Sequence, residues 1–550
     1  MSQDKLSPIE HIKVKSDGLR GTLKESLKDN HTGNVRPDDE ALVKFHGMYV
    51  QDDRDRRGER ASKKLDKLYS FMIRLRIPGG VISAEQWAAI HAISEEYGTG
   101  TLKITTRQTI QLHGLLKHQL RDTIQGFLLA KLDAIAACGD VNRNVICSSH
   151  PQVSPLFEKI HKYADTISTL LLPKTQSYYE VWIDGEKKYD RSVEADPLYQ
   201  DRYLPRKFKI AIAIPPTNDV DVFANDIGLI AVIENQELKG FNIAVGGGLA
   251  TTHGNPNTYS RLGTIIGFTD TEEKTLKAVY EVLTIQRDFG NRSDRKLSRL
   301  KYTVDKLGVD HFKKELENRI GFELLPARPY EFTERNDRYG WQQNHRNKWY
   351  YTLFVENGVV KPYQKEFLYE LSKLNSCDFK FTCNQNLIVG EILPENKSQI
   401  EALLEKFGIE GRYGKMRESS MSCVALPTCP LALAEAQRYL PELITKIEPV
   451  LEKHNLQNDE ISIRMTGCPN GCGRSYLSEI GFVGTGPGQY NLMLGGDRLG
   501  HRLNRIYKEK VNETEILILL DQLFTQYTAE KEKKETFGDF ANRVLAAELH

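Results

Sequence analysis

The sequence predicts an α+β protein of three domains, the first built from a pair of βαβ-type repeats related by a pseudo-twofold axis. Segments 71–82 with 102–115, and segments 350–360 with 379–392, share the same order of strand, turn, helix and strand. Between them, apolar strand-like runs alternate with amphipathic helical segments, a pattern typical of an α/β unit. The 550 residues are enough for about three or four domains.

Matching positions in the closing strands of the two repeats support this prediction. The aligned segments read LKITTRQT and FKFTCNQN, and their identical pairs are Lys103 with Lys380, Thr105 with Thr382, and Gln108 with Gln385. The helix of the first repeat opens on Ser83 and Gln86, the pattern of a capping box. Two similar units in one chain indicate an intramolecular pseudo-dimer that covers residues 69–137 and 337–410.

The rest of the chain divides into three regions. Residues 1–68 are polar and charged, so we expect an extended arm or a partner-binding segment rather than a packed domain. Residues 138–336 are expected to form an α/β domain with strands in 209–216 and 240–250. Residues 411–550 form the last domain, which contains four cysteines, hairpin-like strands and a closing amphipathic helix.

The composition bounds the classes of function. Lys and Arg total 75 against 74 Asp and Glu, a net charge of +1, so no global field indicates a nucleic acid or a membrane surface as partner. The sequence contains no run of about 18 apolar residues, so it predicts no membrane-spanning helix. The chain opens with MSQDKLSPIEH and has no apolar signal segment, so we expect a cytoplasmic protein.

Four cysteines near the C-terminal end are the most informative residues. Cys423 and Cys429 form a C-x5-C pair, and after 38 further residues Cys468 and Cys472 form a C-x3-C pair. Thiolates are soft ligands, and four of them suit a cubane iron–sulfur cluster. The second pair lies in a Pro-Asn-Gly turn with glycines on both sides of Cys472, which leaves room beside that sulfur.

Other interpretations of the four thiols stay open on spacing alone. Structural zinc sites favour two to four residues between paired cysteines, and a gap of five departs from that pattern. A disulfide pair is disfavoured in a reducing compartment, and four buried structural thiols are the remaining alternative. The other cysteines have no ligand spacing and are expected in the core; they are Cys138, Cys147, Cys377 and Cys383.

Basic residues recur in strand-like segments that otherwise read as apolar. Arg74 and Arg76 share one strand face, as do Lys103 and Arg107. Such groups are rarely turned inward unless they are paired, and these segments contain no acidic residue within several positions. Surface exposure is an equal alternative for any single residue, whereas the set as a whole indicates an anionic ligand. Further members are Arg143, Arg206, Lys207 and Lys209.

The cysteine motifs carry a family resemblance. TCPLA together with TGCPNGCGR resembles the signature of the sulfite and nitrite reductases that contain sirohaem and a [4Fe–4S] cluster. More of the chain is similar to the haemoprotein (beta) subunits of bacterial NADPH-dependent sulfite reductases. The similar segments, in one collinear order, are KFHGMYVQDDRD, LPRKFK, VGGGL, QRDFGNR, RPYEFT and FGDFANR.

The resemblance implies a role for each candidate residue. Cys423, Cys429, Cys468 and Cys472 would hold the cluster, and Cys472 would also bridge to the sirohaem iron. The substrate-anion pocket would consist of Arg74, Arg143, Lys207 and Lys209. Sirohaem and its carboxylates would be bound by Lys103, Arg107, Arg206, Arg299 and Gln385. The two cofactors would then be buried where the three domains meet, with residues 138–336 as a sirohaem-binding domain and residues 411–550 as the domain that binds the iron–sulfur cluster and sirohaem.

The resemblance also implies an activity. We expect an assimilatory sulfite reductase haemoprotein, which reduces sulfite to sulfide with six electrons in cysteine biosynthesis. The chain has no flavin motif or convincing NADPH motif, so electrons would come from NADPH through a flavoprotein (alpha) subunit that carries FMN and FAD, with residues 1–68 as a candidate docking element. A ferredoxin-dependent sulfite or nitrite reductase is the alternative, and a zinc-stabilised RNA-binding or scaffold protein is disfavoured by the neutral charge.

Overall fold

The computed structural model describes residues 6–151, 154–174, 181–183, 186–189, 196–374, 376–409 and 413–550. Helices and strands are mixed along the chain, and the described strands form four five-stranded sheets and one two-stranded sheet. The α+β class is therefore confirmed. No helix within the described ranges is both long enough and apolar enough to cross a lipid bilayer.

The N-terminal segment is folded, in contrast to the extended arm expected for it. Its elements are α1 (Pro8–Lys15), α2 (Leu23–Lys28), α3 (Asp39–Leu42), β1 (Met48–Asp52) and α4 (Arg57–Ser62). Leu19, Leu42 and Phe45 are buried in the core of the α/β domain. The prediction of an arm was wrong because some charged residues of this segment are buried as ion pairs. Lys13 Nζ lies 2.5 Å from Glu10 Oε1, and both side chains are almost fully buried.

The first repeat follows directly. Its elements are β2 (Tyr69–Arg74), β3 (Val81–Ile82), α5 (Ala84–Glu96), β4 (Leu102–Ile104), β5 (Ile110–Leu115) and α6 (Leu120–Leu129). The capping box of α5 is present, with the Ser83 side chain accepting from the Gln86 backbone N–H. The sheet has the order β1-β2-β5-β4 followed by one strand from the second repeat, so residues 48–52 of the expected arm belong to this sheet.

The α/β unit comes next. It comprises β6 (Ile146–Cys147), α7 (Phe157–Leu170), β7 (Val181–Ile183), β8 (Glu186–Tyr189), β9 (Ile210–Ala213), β10 (Ile227–Glu234), β11 (Glu237–Val245), β12 (Thr264–Thr269), α8 (Glu272–Phe289), α9 (Leu300–Leu307) and α10 (Val309–Ile320). Its main sheet has the order β12-β11-β10-β9-β6, in which β6, β9 and β10 are parallel and the other two strands antiparallel.

The second repeat interlocks with the first. It comprises β13 (Gly340–Gln343), β14 (Trp349–Leu353), β15 (Val359–Val360), α11 (Pro362–Leu374), β16 (Asp378–Phe381), β17 (Leu387–Ile392) and α12 (Lys397–Lys406). Strand β15 pairs with β4, placing Val359 opposite Lys103, and β3 pairs with β16, placing Val81 opposite Lys380. This reciprocal exchange confirms the pseudo-twofold pair, and both repeats contribute to one hydrophobic core.

The C-terminal unit contains the candidate cluster cysteines. Its elements are α13 (Lys415–Glu418), β18 (Met421–Ser422), α14 (Leu440–Lys453), β19 (Ile463–Thr466), β20 (Ile480–Gly486), β21 (Gln489–Leu494), β22 (Arg505–Val511), α15 (Glu513–Glu530) and α16 (Phe537–Val544). Its sheet has the order β18-β19-β20-β21-β22 and is parallel in its first three strands.

This last sheet repeats the sheet of the α/β unit, a second repeat that sequence reasoning missed. Ile227 of β10 lies opposite Val245 of β11, and Ile480 of β20 lies opposite Leu494 of β21. The sequence signals were available: DIG and FNIAVGG in the first unit, and EIG and YNLMLGG in the second. Each half of the chain therefore consists of a repeat followed by an α/β unit.

The exchange of strands between the two repeats brings their backbones close together, and this close approach can be tested by substitution of a glycine. Gly358, at φ +74°, faces the Ile104 carbonyl so closely that a Cβ would collide with it. Gly321, at φ +76°, has open space around the same position. We expect Gly321→Ala to cost about 1 kcal/mol of backbone strain. Gly358→Ala should cost about 1–3 kcal/mol more in urea unfolding, because the collision adds to that strain. Equal losses in the two variants would contradict the close approach.

Candidate functional site

One cavity lies between the α/β unit and the C-terminal unit, and its wall is strongly cationic. Basic groups and a thiol line it together: Arg107, Lys207, Lys209, Arg299, Arg474 and Cys472. None of the described residues that line it is Asp or Glu. Cations without carboxylates in the same wall suit an anionic ligand, because charges are rarely placed inward without partners.

Buried Asp226 hydrogen-bonds two of these cationic residues. Its carboxylate accepts the backbone N–H of Lys209 at 2.9 Å and the guanidinium of Arg299 at 2.8 and 3.3 Å. Arg299 caps the start of α9, and Lys209 directly precedes β9. Among the described residues, no hydrogen-bond partner is found for the Lys207 or Lys209 ammonium group, so both are available to a ligand.

Arg107 reaches the cavity from the turn between β4 and β5. Its guanidinium donates to the side chain of Asn225 at 2.7 Å and to the carbonyl of Ile210 at 3.0 Å. Burial lowers the pKa of Arg107 to about 9. The Lys207 pKa falls to about 7, mainly through burial and then through Arg206, while Cys472 opposes the shift. Burial and then Lys207 hold the pKa of Lys209 well below its ordinary value.

Arg74 and Arg143 lie around a residue that the sequence analysis placed in the arm. The Arg74 guanidinium lies 5.9 Å from the ring centroid of Tyr49 and donates to the Cys138 sulfur at 3.2 Å. Arg143 hydrogen-bonds the Tyr49 side chain and donates to the Gly139 carbonyl at 2.8 Å. Arg143 also lowers the pKa of Lys207, after the larger effects of burial and Arg206. Tyr49, Arg74 and Arg143 are not among the residues that line the cavity, and nothing in the local spacing signalled the contacts of Tyr49 with the two arginines.

Lys103 and Gln385 are not among the residues that line the cavity. The Lys103 ammonium donates to the Gln437 side chain, and its pKa falls to about 7 through burial although Cys423 opposes the shift. The Gln385 side chain accepts from the backbone N–H of Ser422 at 3.3 Å. Both residues therefore lie on the cysteine side of the site.

Arg206 is not among the residues that line the cavity. Burial, and then repulsion from Arg295, lowers its pKa to about 10, although Asp140 opposes the shift. After burial, Arg206 is the largest cause of the lowered pKa of Lys207. The predicted ligand roles of all these basic residues stay predictions.

The cysteine sulfurs are provided with hydrogen-bond donors. Cys423 Sγ accepts from the Gly467 backbone N–H at 3.3 Å and from Thr466 Oγ1 at 3.5 Å. Cys468 Sγ accepts from Asn470 Nδ2 at 3.4 Å. Cys472 is exposed at the cavity wall. Donors to sulfur are one of the means by which proteins stabilise iron–sulfur clusters.

All four thiols act on one another electrostatically. Burial raises the pKa of Cys423 to about 11, with a further effect of Cys472 and a smaller one of Cys468. The pKa of Cys429 rises to about 12 through burial, and the other three cysteines add to it. Within the described ranges, however, no three His, Cys, Asp or Glu side chains form a group that could hold a single metal ion. Four thiols that act on one another suit an iron–sulfur cluster, in which each cysteine binds a separate iron.

The other cysteines fit the expectation of core residues. Cys138, Cys147, Cys377 and Cys383 are all buried and are not in disulfides. Burial raises the pKa of Cys147 and Cys383, so both stay thiols at neutral pH.

The two α/β units are joined beneath the cavity by a buried ion cluster. The carboxylate of Asp221 lies 2.6 Å from Arg335, 2.8 Å from Arg464 and 2.9 Å from Arg474. Although burial raises it, these three arginines hold the pKa of Asp221 well below its ordinary value. Arg474 donates in addition to the Thr106 carbonyl at 2.5 Å and so fixes the turn that contains Arg107.

Two family models match the chain, one in the paired repeats and one in the α/β unit. A model described as "Nitrite/Sulfite reductase ferredoxin-like half domain" matches residues 63–128 and 342–407. A model described as "Nitrite and sulphite reductase 4Fe-4S domain" matches residues 162–324, in the α/β unit, whereas the four cysteines lie in the equivalent C-terminal unit. The fold and the site thus define a member of the nitrite and sulphite reductase class.

Individual relatives narrow this class. The chain is 58% identical to a "Sulfite reductase [NADPH] hemoprotein beta-component" of Leptospira biflexa serovar Patoc, over 97% of this chain and 98% of that protein. It is 51% identical to the protein of the same name from Bacillus pumilus, over 98% of this chain and 95% of that protein. The structure of Mycobacterium tuberculosis NirA protein superposes with a TM-score of 0.80 at 22% identity, over 100% of this chain and 98% of that one. The chain belongs to the family of sulfite reductase [NADPH] hemoprotein beta-components.

The crowded cations predict a pH dependence for the cofactor-free protein. Between the folded pKa of Lys207, about 7, and its ordinary value of 10.5, the unfolded chain holds a proton that the folded protein has released. Stability therefore rises with pH across this window, and the cost of burying the charge is fully present below it. Lys207→Met should be more stable than wild type at pH 7 and show a shallower rise towards pH 10.

The control for this prediction is Lys63→Met. Lys63 is 60% exposed, and within the described part of the chain its only ion pair is with Glu59 at 2.8 Å, so its removal should leave the pH profile unchanged. The measurement is urea unfolding of each variant from pH 6 to 10. Parallel profiles for Lys207→Met and wild type would contradict the burial of this cation.

Proposed function

We propose that the chain is a sulfite reductase haemoprotein that reduces sulfite to sulfide with six electrons, which come from NADPH through a flavoprotein partner. The observation that carries the proposal is the cationic cavity that contains Cys472 in its wall but no carboxylate among its described lining residues. Sirohaem carries eight carboxylates and sulfite is itself an anion, so both need this unusual excess of positive groups. Family membership supports the same activity, because its relatives have the sulfite reductase name.

The donor set fits the two cofactors. Cys423, Cys429, Cys468 and Cys472 would hold the [4Fe–4S] cluster, and Cys472, exposed in the cavity, would also help to hold sirohaem. When bound, the two groups supply electron transfer to the sulfur of the substrate. Arg107 and Arg299 present guanidinium groups to the cavity and are suited to the sirohaem carboxylates.

The remaining cations are suited to the substrate. Arg74 and Arg143 are fixed by Tyr49 and by the loop around Cys138, so their planar guanidinium groups can orient an oxyanion without reorganisation. Lys207 and Lys209 have lowered pKa values. An ammonium group with a pKa of about 7 gives up its proton readily near neutral pH, which suits it to protonate oxygens that leave as water.

The source of electrons is the first test. The purified holoenzyme should release sulfide from sulfite when NADPH and the flavoprotein subunit are supplied, since no flavin motif is present in the chain. Sulfide production by NADPH with the flavoprotein is compared with production by reduced ferredoxin, each with sulfite and with nitrite. Turnover with ferredoxin alone would contradict the proposed partner, and a preparation without haem absorption, iron or acid-labile sulfide would contradict the proposed activity.

Two variants separate cofactor binding from proton supply. Cys472→Ser should lose sirohaem, the cluster or both, because its sulfur is proposed to serve both groups. Lys209→Ala should keep iron, acid-labile sulfide and the haem spectrum, but lose about 10²–10⁴-fold in turnover at saturating sulfite. Lys373→Ala, at an exposed lysine paired with Glu370 at 2.7 Å, is the control. Full turnover in Lys209→Ala, or full cofactor content with full turnover in Cys472→Ser, would contradict these roles.

A further inference from the structure

A turn after β1 brings the N-terminal segment into contact with the loop between β18 and α14, which contains Cys429. The carboxylate of Asp52 accepts two bonds from the Arg57 guanidinium, at 2.5 and 2.7 Å, and the Asp53 N–H donates to the Leu68 carbonyl at 3.2 Å. Asp52 is buried, and Arg57 lowers its pKa. The paired charges therefore fix the turn that presents Arg54.

Arg54 holds the loop that contains Cys429. Its Nη1 donates to the Ala432 carbonyl at 2.6 Å and to the Cys429 carbonyl at 3.3 Å. Its backbone N–H donates to the Pro427 carbonyl at 3.3 Å. Next to it, Asp55 pairs with Arg438 at 2.8 Å.

The loop needs such donors because it contains no helix or strand between β18 and α14. Its opposite side is fixed to the other cysteine pair: the N–H groups of Leu433 and Ala434 donate to the Gly467 carbonyl at 2.7 and 3.0 Å. The Gly467 N–H in turn donates to Cys423 Sγ. Leu431, 62% exposed, lies at the outer surface of the loop. The loop is thus held from two sides, and Arg54 provides the donors on one of them.

We propose that Arg54 is a positioning residue for the iron–sulfur centre, which holds Cys429 in place and keeps a fixed positive charge beside it. The inference rests on the proposed function, since it takes the four cysteines as cluster ligands. A cation close to a cluster favours the reduced, more negative state and so raises the midpoint potential. The N-terminal segment then contributes both to the anion pocket, through Tyr49, and to the redox centre, through Arg54.

Two substitutions separate the contacts from the charge. Arg54→Gln removes the charge and replaces the Nη1 donor by an amide on a shorter side chain. Arg54→Lys keeps the charge as a compact ammonium group that lacks the planar fork. The matched control is Arg56→Gln, two residues further on. Arg56 is half-exposed, and its only ion pair among the described residues is with Glu59, at 3.4 Å.

The experiment uses the holoenzyme variants and three readouts other than turnover. These are iron and acid-labile sulfide content, the midpoint potential of the cluster from a redox titration followed by EPR, and hydrogen exchange of residues 424–439. In Arg54→Gln we expect a more negative potential, or loss of iron, together with faster exchange. In Arg54→Lys we expect faster exchange with a potential close to that of wild type. Arg56→Gln should match wild type in all three readouts.

Two outcomes would overturn the proposal. Wild-type potential and exchange in Arg54→Gln would show that the contacts do not position the cluster. Equal changes in Arg56→Gln would show that any loss of charge in this turn has the same effect. A wild-type protein without iron would instead contradict the proposed function, so the two failures are distinguishable.

Discussion

The cavity depends on one buried carboxylate. Asp221 is the shared partner of Arg335, Arg464 and Arg474, and these residues come from both α/β units and from the chain that connects the two halves. Removing one partner of such a buried pair typically costs about 3–5 kcal/mol, because the remaining charge stays buried without compensation. Here one carboxylate compensates three guanidinium groups, so the relative position of the two halves, and with it the shape of the cavity between them, is fixed at this point.

The same excess of cations lowers the folding stability of the protein when no ligand occupies the cavity. Burial and mutual repulsion lower the pKa values of Arg107, Lys207 and Lys209, which means that the folded protein disfavours its own charges there. A polyanion removes this cost when it binds. The geometry therefore couples cofactor binding to stability, because each carboxylate that enters offsets a charge that the fold has already buried.

The sequence predicted the chemistry of the site better than its architecture. The cysteine spacing and the strand cations were local signals, and Cys472, Arg107, Lys207, Lys209 and Arg299 do meet at one cavity. Tyr49 and Arg54 were missed because their partners lie far away in sequence, and a polar segment was interpreted as an arm. Gln385 was predicted as a cofactor ligand. Its side chain accepts the Ser422 N–H, as that of Gln108 accepts the Cys147 N–H at 2.9 Å, and its role at the cofactor stays a prediction.

That last correspondence shows how the two halves differ in chemistry on one scaffold. Because Gln108 and Gln385 hold equivalent backbone positions, Ser148 in the first half corresponds to Cys423 in the second. The Ser148 hydroxyl accepts the N–H of Ile214 at 3.0 Å and so serves only the fold of its unit. Cys423, at the same position, presents a sulfur to the other thiols. The first half thus has a hydroxyl at the position where the second half has one of the proposed cluster ligands. The cavity wall draws on both halves, because Arg107, Lys207, Lys209 and Arg299 come from the first half and Cys472 and Arg474 from the second.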